Sequence, residues 1–313
     1  MVLPTENNSG SRFGQPYVHT KSGYFDRTAR PVYALVYLLP FILVYELLVL
    51  IANPDLLDQS LVAVRGGVVA FVWVQNFLSY IGLSVRLAWL CTPLVVVVIL
   101  FTMQTVSRQK WKVFAFDFLP MTIECVLLAI PLLVLALLLN RPPASQQSAC
   151  HTDSPHITQN HAITVPASST PSTAVESRTQ SPATTAYPVN HLAVDIITGI
   201  GAGIYEELIF RLVLISLMML FFKTIIGLPR STSILTSVIL SALLFSLHHH
   251  VVFINGHITT AEAFTLSRFV FRSVAGVYFA ALFAARGFGV TAATHAFYDI
   301  MAAILNALVF AQN

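Results

Sequence analysis

Seven apolar runs, at 32–52, 87–106, 121–140, 192–222, 231–253, 264–285 and 289–310, dominate this sequence. Each supplies the roughly 20 residues that a helix needs to cross a hydrocarbon core of about 30 Å. Within lipid, every backbone N–H and C=O must find its partner inside the segment, so the runs restrict the chain to packed helices. Composition agrees, with 56% hydrophobic and only 10% charged residues, against about 25% charged in a soluble domain. The net charge of +3 is too small to point to nucleic acid. Cys91, Cys125 and Cys150 show no metal-ligand spacing. The expected class is all-α: a polytopic helical membrane protein of seven to eight hydrophobic segments.

The eighth segment, 61–83, carries Arg65, Gln75 and Asn76 in an amphipathic pattern. It is read as lying on or dipping into the outer surface. The run 32–52 is long enough to span and is followed by Asn53-Pro54-Asp55, which makes it an uncleaved signal anchor. With seven spans and the N-terminus inside, Arg12, Lys21, Arg27, Arg30, Arg108, Lys110, Lys112, Lys223, Arg230 and Arg286 all face the cytoplasm. The positive-inside rule favours that orientation.

Four regions follow. Residues 1–31 form a polar N-terminal tail and 32–140 the N-terminal membrane helices. The stretch 141–191 is rich in Ser, Thr, Ala and Pro and lacks the apolar content to fold, so it is expected to be a disordered linker. Residues 192–310 hold every candidate catalytic group.

In that last region a charged cluster, Glu206, Glu207 and Arg211, interrupts an apolar run. A single charge at bilayer depth costs at least about 2.5–3.5 kcal/mol, so a cluster there is functional by default. Glu207 and Arg211 are one helical turn apart and can neutralise each other. Glu206 points about 100° away and stays available as a general base for water. Phe245 with His249, and His295 with Asp299, repeat the one-turn spacing, and Asp299 can hold the His295 ring in one tautomer. One base, two imidazoles and an orienting carboxylate are parts enough for amide hydrolysis, with or without a metal ion.

Glu-Glu-x-x-x-Arg at 206–211, Phe-x-x-x-His at 245–249 and His-x-x-x-Asp at 295–299 together resemble the three motifs of the CPBP family. These are the CAAX proteases and bacteriocin-processing enzymes, also called Abi proteins. The resemblance covers 192–310. It implies an intramembrane endopeptidase in which Glu206 activates water while His249 and His295 orient it, stabilise the oxyanion or bind a divalent metal such as zinc. It further implies that Asp299 fills a position where many relatives carry asparagine, and that Glu207, Arg211 and Phe245 support the site. Substrates of eukaryotic and archaeal relatives are prenylated C-terminal peptides, so a peptide or membrane-protein substrate, lipidated or not, is the expected partner beside the lipid bilayer. The opening Gly-Tyr-Phe-Asp-Arg-Thr-Ala-Arg-Pro is similar to bacterial members and suggests a bacterial cytoplasmic membrane. Two competing readings are a catalytically silent immunity or scaffold relative and a proton-coupled small-molecule transporter. The first should have lost a motif residue and the second should show internal repeats, and neither feature is present in the sequence.

Five finer expectations remain. Gly199 and Gly203 form a small-x-x-x-small face for close helix packing. Glu46 and Glu124 are packing groups, protonated or paired. His248 and His250 flank the motif histidine as an interfacial helix end. Arg268 and Arg272, which share a face, snorkel to the interface or bind a substrate carboxylate. With these boundaries His249 lies about 10 Å outward and His295 about 7 Å inward of Glu206, so tilted or broken helices must bring them together.

Overall fold

The structure is a computed structural model that describes residues 23–52, 68–139, 191–254, 257–260 and 262–310. The linker expected at 141–191 therefore falls outside the described residues, apart from the helix start at His191. The described chain is built of helices: α1 (Tyr24–Thr28), α2 (Pro31–Ala52), α3 (Val69–Tyr80), α4 (Val85–Ser107), α5 (Phe118–Leu139), α6 (His191–Glu207), α7 (Ile215–Leu220), α8 (Arg230–His248) and α9 (Leu266–Phe310). A short antiparallel hairpin, β1 (Val251–Ile254) and β2 (His257–Thr260), follows α8.

Six of the helical stretches are long and apolar enough to cross a membrane. The last, Leu266–Leu308, is two crossings. Its backbone leaves the helical region at Gly287 (φ 76°, ψ 179°). The Phe279 and His295 rings stack with centroids 4.5 Å apart, whereas a continuous helix would separate residues at that spacing by about 24 Å. The chain therefore reverses at Gly287. Glycine is required there both for the positive φ and because a Cβ would lie 2.6 Å from the Ala29 carbonyl oxygen. Seven crossings result, in accord with the apolar runs. The ambiguous segment 61–83 supplies the 12-residue α3, about 18 Å long and too short to span on its own.

Part of the polar N-terminal stretch is ordered and paired. Arg286, at the α9 reversal, donates to Glu124 on α5 (Nε–Oε1 2.5 Å, Nη2–Oε2 2.8 Å), to the Phe25 carbonyl and to Thr28. Tyr24 donates to the same Glu124 carboxylate at 2.9 Å. Arg27 pairs with Asp117, which also accepts from Tyr33 at 2.6 Å. The basic residues near the first span thus lock α1 to the membrane bundle, and Glu124 is paired as expected.

The catalytic half is ordered around the close packing of α6 on the returning arm of α9. Gly199 and Gly203 permit it: a Cβ at 203 would lie 2.5 Å from the Ala296 nitrogen, and one at 199 would lie 2.7 Å from the Asp299 Cβ. On the other flank, α8 buries Ser233, Ser237, Ser241, Ala242 and Ser246. Small side chains let helices approach where lipid supplies no hydrophobic drive.

Candidate active site

The first motif sits where α6 loses its regular winding. From Leu208 to Leu214 the helix widens into a π-type turn, a feature that frequently marks functional positions. The Ser241 hydroxyl on α8 donates to the Phe210 carbonyl inside this turn at 2.7 Å. The widened turn is therefore tied to the helix that carries the second motif.

Glu207 is fully buried and lies at the centre of the site. Its Oε2 is 3.0 Å from Arg211 Nε, and its Oε1 is 2.8 Å from His295 Nδ1. The expected Glu207–Arg211 pair is present, but the same carboxylate also orients His295. Asp299 lies on the other edge of that ring, 3.4 Å from Nε2. The ring is further fixed by stacking on Phe279 (4.5 Å, 19°) and by edge contact with Phe245. Phe245 also places its face 4.2 Å under the Arg211 guanidinium, a cation–π contact that is strong when water is excluded. The phenylalanine of the second motif is thus the platform on which the first and third motifs meet.

Glu206 turns the opposite way, as its 100° offset requires, and faces the end of α8. Its Oε1 is 3.5 Å from His248 Nε2 and its Oε2 is 3.9 Å from His249 Nε2. His248 Nδ1 contacts the Phe245 carbonyl. A carbonyl can only accept, so Nδ1 carries the proton and Nε2 is left to face Glu206. Glu206 Oε2 and His248 Nε2 are both buried without a hydrogen-bond partner among the described residues. Ligand atoms of Glu206, His248 and His249 all lie within 4.8 Å of one another. The gap between them suits a water molecule or a metal ion.

The histidine run was read as an interfacial helix end with His249 alone functional. The structure brings His248 closer to Glu206 than His249, and buries it against Phe210 and Trp73. The i,i+3 relation of His248 to Phe245 was the one sequence signal for it. The depth conflict between the motifs is answered by the contacts themselves, which bring Glu206 within 3.5 Å of His248 and 3.9 Å of His249. The α8 helix ends at His248, so 251–253 belong to the hairpin and not to a span. Glu206, Phe245, His248, His249, His295 and Asp299 line one cavity of about 1070 Å³, walled by apolar side chains of α5 and α9 that include Leu133, Ala136, Leu137, Ala302 and Leu305, with Glu207 and Arg211 packed behind them. Arg268, Arg272 and Glu262 also line it. The hydrogen bonds from Arg272 hold the Glu262 carboxyl below its ordinary range.

A family model described as type II CAAX prenyl endopeptidase, Rce1-like, matches residues 188–301. That range contains all three motifs and both helices that hold the buried carboxylates. Over that range the chain is similar to the CAAX-protease family. It is an integral, multi-pass membrane protein in which residues of all three motifs line one cavity. No curated protein and no solved structure gave a significant match. The segments 23–52 and 68–139, outside the matched range, pack against the matched core: Tyr205, next to Glu206, donates to Glu46 of α2 at 3.2 Å and meets Phe71 of α3 edge-on.

Close packing of α6 on α9 is what carries Glu207 to His295. Gly203→Val should therefore drive the helices apart, lowering stability by about 1–3 kcal/mol or more. Unfolding of the detergent-solubilised protein is expected at clearly lower temperature, with cleavage lost in parallel. Wild-type stability and activity for this variant would show that the contact at Ala296 does not hold the site together.

Proposed function

We propose that the protein is an intramembrane endopeptidase in which Glu206 activates a water molecule against a peptide carbonyl, acting in a bacterial cytoplasmic membrane. The observation that carries this reading is the buried Glu206 carboxylate facing His248 at 3.5 Å and His249 at 3.9 Å, inside the cavity that His295 and Asp299 also line. Glu206 takes a proton from water, and the hydroxide adds to the carbonyl carbon. His295, held by Glu207 at Nδ1, shares its Nε2–H between Asp299, 3.4 Å away, and the oxyanion of the tetrahedral adduct. When the C–N bond breaks, Glu206 returns its proton to the departing amine. His248 and His249 hold the water on the Glu206 side. The apolar walls fit a substrate segment that enters from the lipid, with or without a prenyl group.

One carboxylate and two imidazoles are also a donor set that suits zinc. In that second reading Glu206, His248 and His249 hold the ion. The expectation that His295 joins His249 as a ligand finds less support, because both nitrogens of His295 already face carboxylates. A bound zinc supplies Lewis acidity and a more acidic water. Elemental analysis of protein purified without chelator separates the two readings: near-stoichiometric zinc that falls with His248→Ala favours the metal, and metal-free active protein favours the carboxylate alone.

The test of hydrolysis itself uses an S-farnesylated peptide with two aliphatic residues after the modified cysteine, in vesicles containing the purified protein. Mass spectrometry should show a new fragment with the wild type. Intact peptide after long incubation, for this and for unmodified membrane-segment peptides, would refute the protease reading in favour of a silent or transporting relative.

Asp299 is proposed to act by positioning His295. Asp299→Asn keeps a hydrogen-bond acceptor at Nε2 and should retain substantial activity. Asp299→Leu leaves that edge of the ring without a partner and should lose most of it. Equal loss in both variants would mean that the negative charge itself is needed.

A further inference from the structure

Arg268 and Arg272 are the Lys/Arg side chains among the described residues that line the cavity. They lie in the first two turns of α9, one turn apart on one face. Positive charge at a helix N-terminus opposes the backbone dipole, so helix stability does not explain them. Glu262, just ahead of α9, spans both. It accepts from Arg272 in a two-pronged geometry (Nη1–Oε2 3.0 Å, Nη2–Oε1 3.3 Å) and lies 3.5 Å from Arg268 Nη1. One carboxylate against two guanidinium groups leaves a positive charge over. Elsewhere the lining offers Asp195, Glu206 and Asp299, which repel an anion. Glu262 is well exposed, with 42% of its side-chain surface open, whereas Arg272 is largely enclosed at 20%. An exposed carboxylate on a more enclosed arginine is a contact that a second carboxylate can replace, since the planar fork of arginine accepts any carboxylate in the same two-pronged way.

We infer that Arg272, assisted by Arg268, is a carboxylate-reading subsite at the mouth of the cavity, and that Glu262 occupies it until a substrate carboxylate takes its place. The inference rests on the peptidase reading above and specifies its substrate class: a peptide presenting a carboxylate within reach of Arg272 when its scissile bond is at Glu206. The group is either the C-terminal carboxylate or an acidic side chain near the cleavage point. Glu262 is then a built-in competitor that raises selectivity by excluding peptides with nothing to displace it.

The experiment measures binding to Glu206→Gln protein, so that nothing is cleaved. Three forms of one S-farnesylated peptide are compared: a free C-terminal acid, the C-terminal amide, and an amide whose last residue is glutamate. The acid should bind roughly 10-fold more tightly than the amide, the worth of a charge-assisted hydrogen bond. Arg272→Gln should bring the ratio to about one. Glu262→Gln should tighten the acid several-fold and leave the plain amide unchanged. These ratios do not depend on the fraction of protein that is folded. Tight binding of the glutamate-ended amide assigns the role to a side chain, and weak binding assigns it to the chain terminus. Equal binding of acid and amide, a preference that survives Arg272→Gln, or no saturable binding of any form overturns the inference. Cleavage by the wild type is scored separately. Cleavage without carboxylate preference removes this subsite and leaves the peptidase, while preference without cleavage does the reverse.

Discussion

Glu206→Gln should lower peptide cleavage at least ~100-fold, the usual worth of a positioned general base, while expression stays close to wild type. The two side chains are nearly the same size. Glu206 is 5% exposed and faces His248 Nε2 at 3.5 Å. A glutamine amide can donate to that nitrogen, so the buried contact is kept while the proton acceptor is lost. Glu206→Asp withdraws the carboxylate by about one methylene from both histidines and should fall between the two, because base catalysis depends on reach before basicity. Stability measured beside activity separates this from simple unfolding. A glutamine variant that cleaves at the wild-type rate would remove Glu206 from the mechanism whatever the metal content.

The outline of the fold was legible in the apolar runs because lipid allows so few backbone solutions. The runs ending at 285 and beginning at 289 anticipated the reversal at Gly287, although helix geometry alone reads α9 as continuous. Hydropathy misplaced the end of α8 because Val251, Val252 and Phe253 are as apolar as the helix before them. They leave it for a hairpin, and it is the contact between helices, which hydropathy does not register, that brings His249 to Glu206. The three motifs picked out the helices that line the cavity, and the glycines at 199 and 203 announced the contact that joins two of them. Spacing rules consider one helix at a time, which is why they paired Glu207 with Arg211 and Asp299 with His295 but missed Glu207 with His295, a contact between helices. The same limit hid the pairing of Glu262 with Arg272, since nothing local to Glu262 distinguishes it from a loop carboxylate. His248 was passed over because the family pattern selects only one member of the histidine run.

Glu207, which joins that interhelical contact to its pair with Arg211, has the larger consequence for stability. Glu207→Ala should destabilise the protein by about 3–5 kcal/mol, the cost of stranding one member of a buried ion pair, out of a total of only about 5–15 kcal/mol. Arg211, 1% exposed, would keep only the Gly276 carbonyl at 3.4 Å and the faces of Phe245 and Phe279. Poor expression and a much lower unfolding temperature are expected. Replacing both partners by apolar residues of similar volume is often neutral or stabilising, so Glu207→Leu with Arg211→Met should recover most of that loss. Activity should not recover with it. His295 Nδ1, which now lies 2.8 Å from Glu207, would face a leucine and have no acceptor, and the ring would depend on Asp299, its stack on Phe279 and its edge contact with Phe245. A stable double variant with cleavage at least ~10-fold below wild type therefore separates the positioning role of Glu207 from its structural one, a coupling that a double-mutant cycle can apportion. Full recovery of both properties would reduce Glu207 to a counterion for Arg211. Stability that fails to return would place the origin of the defect outside the pair, in the packing of the π-type turn against α8.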